Sequence, residues 1–260
     1  MKKVLNIGLW SAFVVSIFVL FSFTETNKNQ AVCHAFDVAV DWDKGNQFVT
    51  QKMIKTLINR MGYKEEETIM DEIDSKAIES KINDMASVEH VSVFKDMNGT
   101  LKVTIQQRKP IARVINKNGS SFYIDDKGKP MPIVENYTAR VVVINGNLNE
   151  KNTFSVEDIK ANDSLQKLYQ LDDLYDFVSY YRKDDFFKAQ IEQIYREDNG
   201  EYILIPKVGN QEIVFGKLTE VERKLDNYKK WFLHGINPEN LNLYKTINLK
   251  YKGQIVCTKN

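Results

Sequence analysis

The 260 residues include only two cysteines, three histidines and five prolines. Two cysteines cannot build the disulfide framework that staples small secreted folds. A single bridge between Cys33 and Cys257 stays open, and two unpaired thiols are the plainer reading. No C-x-x-C pair is present, and none of His34, His90 and His234 lies at metal-ligand spacing from another His or Cys. G-x-S-x-G, G-x-G-x-x-G and P-loop signatures are missing too. Asp41-Trp42-Asp43-Lys44-Gly45 departs from a calcium loop, with its glycine one place early and no glutamate at the twelfth position. The acidic pairs Asp125-Asp126, Asp172-Asp173 and Asp184-Asp185 read as solvated turns, not as paired catalytic carboxylates. No residue is therefore assigned a catalytic, cofactor-binding or metal-binding role. A surplus of one charge is also missing: 36 basic side chains face 35 acidic ones. That balance argues against nucleic acid held through its phosphates. With 27% charged and 43% hydrophobic residues, disorder and low-complexity arrays are excluded as well.

What is present begins at the first residues. Met1-Lys2-Lys3 is followed by Val4 to Thr24 without a charge. At about 1.5 Å per residue, a helix of that length spans roughly 30 Å of hydrocarbon. The run is longer than the apolar core of a secretory signal, and no small-x-small site follows it. Nor is there a lipoprotein signal, because Asn29-Gln30-Ala31-Val32 before Cys33 is polar where a lipobox is apolar. Residues 4–24 read as an uncleaved anchor in the lipid bilayer. Lys2 and Lys3 keep the amino terminus in the cytoplasm, which puts the bulk of the chain outside.

The exported part alternates between two periodicities. Phe36 to Trp42 reads as a strand. Thr50 is placed to cap a helix with Met53, Ile54, Leu57, Ile58 and Met61 on one face, ended by Gly62. A second short helix starts near Asp74 or Ser75 and carries Ile78, Ile82 and Met85. Strands at Val91 to Val93 and Leu101 to Ile105 flank the hairpin signal Asn98-Gly99. The order is strand, helix, helix, strand, strand. After Pro110 come strands at Phe122 to Asp125 and Val141 to Ile144, then a core-facing helix on Leu165, Leu168, Leu174, Tyr175 and Val178. Strands at Gln190 to Arg196, Glu201 to Lys207 and Glu212 to Phe215 follow. Thr219-x-x-Glu222 reads as a capping box for a helix on Val221, Leu225, Tyr228 and Phe232. Strands at Tyr244 to Tyr251 and Gln254 to Cys257 end the chain. The fold class is α+β.

Several of these segments carry a family resemblance. Ile78 to Val93 is similar to a helix-to-strand pattern I-x-x-x-I followed by V-x-x-V-x-V. Gly99-Thr100-Leu101-Lys102-Val103-Thr104-Ile105 is similar to G-x-L-x-V-x-V. Gln107-Arg108-Lys109-Pro110-Ile111-Ala112 is similar to an E-R-x-P-x-A junction. Phe122-Tyr123-Ile124-Asp125 with Gly128 is similar to Y-x-I/V-D-x-x-G, and Ile247-Asn248-Leu249-Lys250-Tyr251 to V-D-L-R-Y. In this order, behind one anchor, they resemble the bacterial cell-division FtsQ/DivIB family. The resemblance implies a cytoplasmic tail at 1–3, a transmembrane helix at 4–24 and a linker at 25–34. It further implies a β-α-α-β-β POTRA domain at 35–108 and a mainly antiparallel β domain with flanking helices at 109–260. It implies a non-enzymatic division scaffold in the inner membrane at the septum, with FtsB- and FtsL-like single-pass partners and a role in coordinating septal wall synthesis. The alternatives are another POTRA-bearing export or assembly factor, or an anchored periplasmic enzyme.

Two sets of residues are singled out. Arg108 and Pro110 mark the domain junction, where Arg108 either fixes the orientation of the domains or is simply solvated. The last strands alternate Thr246, Asn248 and Lys250 with Ile247, Leu249 and Tyr251, so one face is buried and the other wet. A strand formed last is expected at a sheet edge, open to strand addition by a partner. The expected docking residues are Tyr244, Thr246, Ile247, Asn248, Leu249, Lys250, Tyr251, Gln254 and Val256. The alternative is a central strand, paired on both sides.

Overall fold

A computed structural model describes residues 10, 13–19, 31–41, 45, 47–135 and 137–260, apart from the side chains of 238 and 239. The expected tail at 1–3, most of the anchor at 4–24, residues 25–30 of the linker and Trp42 to Lys44 lie outside the described residues. Within the expected anchor, Trp10 and residues 13–19 are helical and their side chains are exposed. Among the described residues, no helix is long and apolar enough to cross a membrane. The chain divides into two compact units, Met1–Gln107 and Arg108–Asn260.

The first unit contains β1 (Ala35–Val40), α1 (Gln51–Arg60), α2 (Ser75–Asn83), β2 (Val88–Lys95) and β3 (Thr100–Gln107). This is the expected β-α-α-β-β order. β3 is central, parallel to β1 and antiparallel to β2. Local chemistry explains both helix starts. The Thr50 hydroxyl accepts from the Met53 N–H at 3.2 Å, and the Asp74 carboxylate accepts from the Ala77 N–H at 3.0 Å. Ile54 and Ile58 of α1 and Ile78 and Ile82 of α2 are fully buried in one cluster with Val38, Leu101, Val103 and Ile105. Each such side chain contributes roughly 1.5–3 kcal/mol through its removal from water. Met53, expected on the same face, is instead 42% exposed, because Ile54 and Ile58 define the buried line. Gln107 is buried and closes the unit. Its Oε1 accepts from the Val49 N–H at 2.7 Å, while its Nε2 donates to the Asp41 carbonyl at 2.8 Å. Only an amide offers both roles, and an ionised glutamate would lack the donor.

The second unit is one nine-stranded sheet with helices. Its strands are β4 (Pro110–Ile115), β5 (Ser121–Asp125), β6 (Pro130–Met131), β7 (Val142–Gly146), β8 (Ile191–Arg196), β9 (Tyr202–Pro206), β10 (Glu212–Gly216), β11 (Tyr244–Asn248) and β12 (Val256–Lys259). Between β7 and β8 run α3 (Val156–Lys160), α4 (Asp163–Leu168), α5 (Leu171–Tyr181) and α6 (Asp185–Gln190), and α7 (Val221–Lys230) precedes β11. The spatial order is β12-β11-β10-β9-β8-β7-β4-β5-β6. The pairs β4–β7, β7–β8 and β10–β11 are parallel and the other five antiparallel, so the sheet is mainly antiparallel. One core cluster joins sheet and helices through Ile144, Ile194, Leu204 and Ile213 against Leu174, Phe177, Val178, Leu225 and Tyr228. Phe177 meets Phe215 edge to face, with centroids 5.1 Å apart. Gly146 is the position where backbone freedom is required. Its φ is +101°, and a Cβ there would lie 2.2 Å from the Arg196 carbonyl oxygen across the β7–β8 pair.

Four expectations need correction. The helix expected through Leu165 and Val178 is two helices. Tyr169 is extended (φ −125°, ψ 153°) and 7% exposed, packing on Phe154, while Leu168 is 66% exposed. The break frees the Gln170 N–H, which donates to Glu150 Oε1 at 2.9 Å. The Thr219/Glu222 capping box does not form. Glu220 occupies the cap position in a left-handed conformation, without a side-chain cap bond, and its carboxylate is drawn to Arg223 and Lys252. Asp184 departs from a solvated turn, since it caps α6 through the Phe186 N–H at 2.9 Å and pairs with Lys229, whereas Asp185 is exposed as expected. Asp125 departs as well, being fully buried and ion-paired.

Candidate partner-binding edge and the domain junction

The sheet of the second unit ends on β12. Among the described residues β12 has one strand neighbour, β11, to which it is antiparallel, whereas β11 also pairs in parallel with β10. β11 is therefore paired on both sides over residues 246–248. The expected edge lies one strand further on, at Val256–Lys259. The physical reason is the turn at 251–253, with Gly253 at φ +76°, which folds the last residues back along β11. The ladder also fixes which groups point outward. The Asn260 N–H donates to the Leu243 carbonyl at 3.0 Å, on the β11 side. Alternation along the strand then turns the N–H groups of Lys259 and Cys257 away from β11.

The expected docking residues separate into three groups. Ile247 and Leu249 are buried, at 0% and 2% exposure, and the Leu249 N–H is bonded to the Val214 carbonyl, so both hold the fold together. Tyr244, Thr246 and Asn248 are half-buried on β11. Tyr244 packs edge to face on Trp231 at 6.0 Å, Thr246 shares a hydroxyl contact with Thr258, and Asn248 Oδ1 accepts from the Lys250 N–H at 3.0 Å. Lys250, Tyr251, Gln254 and Val256 are exposed and lie after β11, on the turn and on the edge strand. Sequence reasoning missed Leu243, which is 51% exposed immediately before β11. It also missed Thr258 within the edge strand.

Ionic ties hold this corner. Lys250 Nζ pairs with Glu201 on the segment entering β9 at 2.9 Å, and Lys252 lies 3.5 Å from Glu220. Arg223 pairs with Glu220 and donates to the Tyr251 carbonyl at 3.4 Å. The Glu201 carboxylate beside Lys250 holds that ammonium above its usual range. Lys224 is buried, donates to the Lys217 carbonyl at 2.7 Å and lies 4.6 Å from the centre of the Phe215 ring; desolvation lowers its pKa. Burial pushes the Cys257 and Cys33 thiols up, so neither is an activated nucleophile, and both are free. Among the described residues no group of three or more His, Cys, Asp or Glu could hold a metal ion.

Pro110 opens β4 opposite Asp125, the strand-start position where a missing N–H is harmless. Arg108 is not a solvated side chain. Its side chain is 12% exposed, and its Nε and an Nη atom lie 2.8 Å from Asp125 Oδ2. It also donates to the Lys129 and Pro130 carbonyls at 2.9 and 3.0 Å. Asp125 Oδ1 in turn accepts from the N–H groups of Lys127 and Lys129 at 3.0 and 2.7 Å. The Arg108–Asp125 pair thus closes the β5–β6 turn within the second unit.

The two units coincide with two matches to known domains. Residues 109–258 match the family described as FtsQ/DivIB, C-terminal related. The chain belongs to this FtsQ/DivIB-related family. Residues 31–106 match a POTRA-like domain. A search of curated proteins finds no match. The FtsQ/DivIB family is one of division-related, non-enzymatic scaffolds, and the unit described as C-terminal related is the one that ends in the β12 edge.

Proposed function

We propose that the chain is a single-pass scaffold of the cell-division machinery, anchored by residues 4–24 with its bulk outside the cytoplasmic membrane at the septum. It binds FtsB- and FtsL-like single-pass partners and helps coordinate septal wall synthesis without catalysing a reaction. The observation that carries this reading is the single-sided pairing of β12 in a chain of this family. A partner segment added along β12 takes main-chain hydrogen bonds from the outward groups of Cys257 and Lys259. Val256, Tyr251 and Leu243 supply apolar contact beside it, and Lys259 and Lys245 favour an acidic segment. The match of residues 109–258 favours this over an export factor built from POTRA repeats, and the absence of motif chemistry in the sequence weighs against an enzyme.

Proline at an outward position tests the docking mode. Lys259→Pro removes an N–H that the β11 ladder does not use, at an exposed side chain. The expected result is loss of co-purification of the partner with an unchanged melting temperature of the full chain. Retained binding with a folded chain would refute strand addition at β12.

A further inference from the structure

Far along the same sheet, the loop after β7 buries a carboxylate. Glu150 is 5% exposed, and its backbone is clamped by Asn116, whose Oδ1 accepts from the Glu150 N–H and whose Nδ2 donates to the Glu150 carbonyl, both at 2.8 Å. One carboxylate oxygen, Oε1, accepts from the Gln170 N–H at the start of α5. The other, Oε2, is buried without a partner. Two more buried polar atoms without partners come from the adjacent strands. They are Arg196 Nε on β8 and the Tyr202 hydroxyl on β9. Arg196 and Tyr202 are directly opposite each other across the β8–β9 ladder, and each interacts electrostatically with Glu150. Buried polar groups in a folded protein find partners or hold water, so three such atoms on neighbouring elements point to a shared one.

We infer that Glu150, Arg196 and Tyr202 form an internal site that holds one water molecule and takes up one proton from the surrounding solution. The water accepts from Arg196 Nε–H and Tyr202 O–H and donates to Glu150 Oε2. When a proton arrives, Oε2 donates to the water in place of the Tyr202 hydroxyl, because a water accepts two hydrogen bonds at most, and the carboxylate loses its charge. The groups facing Glu150 set the balance. Burial opposes its ionisation and pushes its pKa up to about 7, and Asp172 in the first turn of α5 adds to the rise. The amides of Gln170 and Leu171 and the Arg196 guanidinium act in the opposite sense. Asp173, also in that first turn, is itself raised by burial and by Asp172 and Asp176, and acts electrostatically on Tyr202. Burial raises Tyr202 to about 12, so it stays a donor. Because Oε1 caps α5, the proton is coupled to the attachment of the helices between β7 and β8. This inference does not depend on the division reading.

Carboxyl-carbon NMR of the full chain labelled at glutamate tests it. One glutamate should titrate near neutrality, and that signal should vanish in Glu150→Gln. The melting temperature should rise on acidification from pH 8 to pH 6 by more in the unaltered chain than in Glu150→Gln, the other titrating groups cancelling in the comparison. Tyr202→Phe keeps the packing and removes one partner of the water, so the neutral titration should move further up. Titration of every glutamate between about pH 3.5 and 5 would overturn the proposal. An unmoved midpoint in Tyr202→Phe would remove the tyrosine, and with it the shared water.

Discussion

Arg108→Ala separates a buried ion pair from a surface one. In the native chain the guanidinium lies against a carboxylate that has no exposed surface, and it also satisfies two backbone carbonyls. Truncation leaves Asp125 buried and charged, with only its two turn amides for compensation. Removing one partner from such a pair costs about 3–5 kcal/mol, whereas an exposed pair such as Lys64–Glu67 is worth about 0–1 kcal/mol. For a unit of this size the loss lowers the melting temperature by roughly 10 °C. The assay is urea and thermal unfolding of the purified full chain, followed by probes in each unit. The transition of the second unit should move, because Asp125, Lys129 and Pro130, which hold Arg108, all belong to it. Arg108→Lys should recover part of the loss, since an ammonium keeps the charge without the two-pronged geometry. A loss under about 1 kcal/mol in Arg108→Ala would refute the reasoning and return Arg108 to the role of a solvated side chain.

Two further predictions follow from the second unit. Gly146→Ala forces a methyl group onto the Arg196 carbonyl at a positive φ, so it should cost about 3 kcal/mol or prevent folding, measured by denaturant midpoint and soluble yield. Glu150 has a folded pKa raised from 4.5 to about 7, so its contribution to stability is full below pH 4.5 and is lost as pH rises through 7. At about 1.4 kcal/mol per pH unit, Glu150→Gln should therefore gain up to about 3 kcal/mol at pH 8 relative to the native chain and nothing at pH 4, read from unfolding curves at both pH values.

The first unit was legible because its determinants are local. Thr50 and Asp74 sit one residue before the helices they cap, and the alternation in β3 needs only eight residues to show its face. Asn98-Gly99 announces its hairpin for the same reason. The second unit hid what depends on distant partners. Asp125 looked like a surface turn residue because Arg108, its partner, lies 17 residues back. The α4–α5 break carries no proline or glycine. It is set by Glu150, 20 residues away, which takes the Gln170 amide. The edge was misplaced by one strand because parallel pairing of β11 with β10 cannot be read from alternation, which reports the buried face but not the neighbours. Even so, Tyr251, Gln254 and Val256 fall on the exposed turn and edge.

The central claim is that this family member acts in division, and depletion of the chain in its native host tests it most directly. Time-lapse microscopy with a labelled division ring should show filaments in which rings assemble but do not constrict, with septal wall labelling lost at those rings. Cells that divide at a normal length and rate after complete depletion would contradict the account.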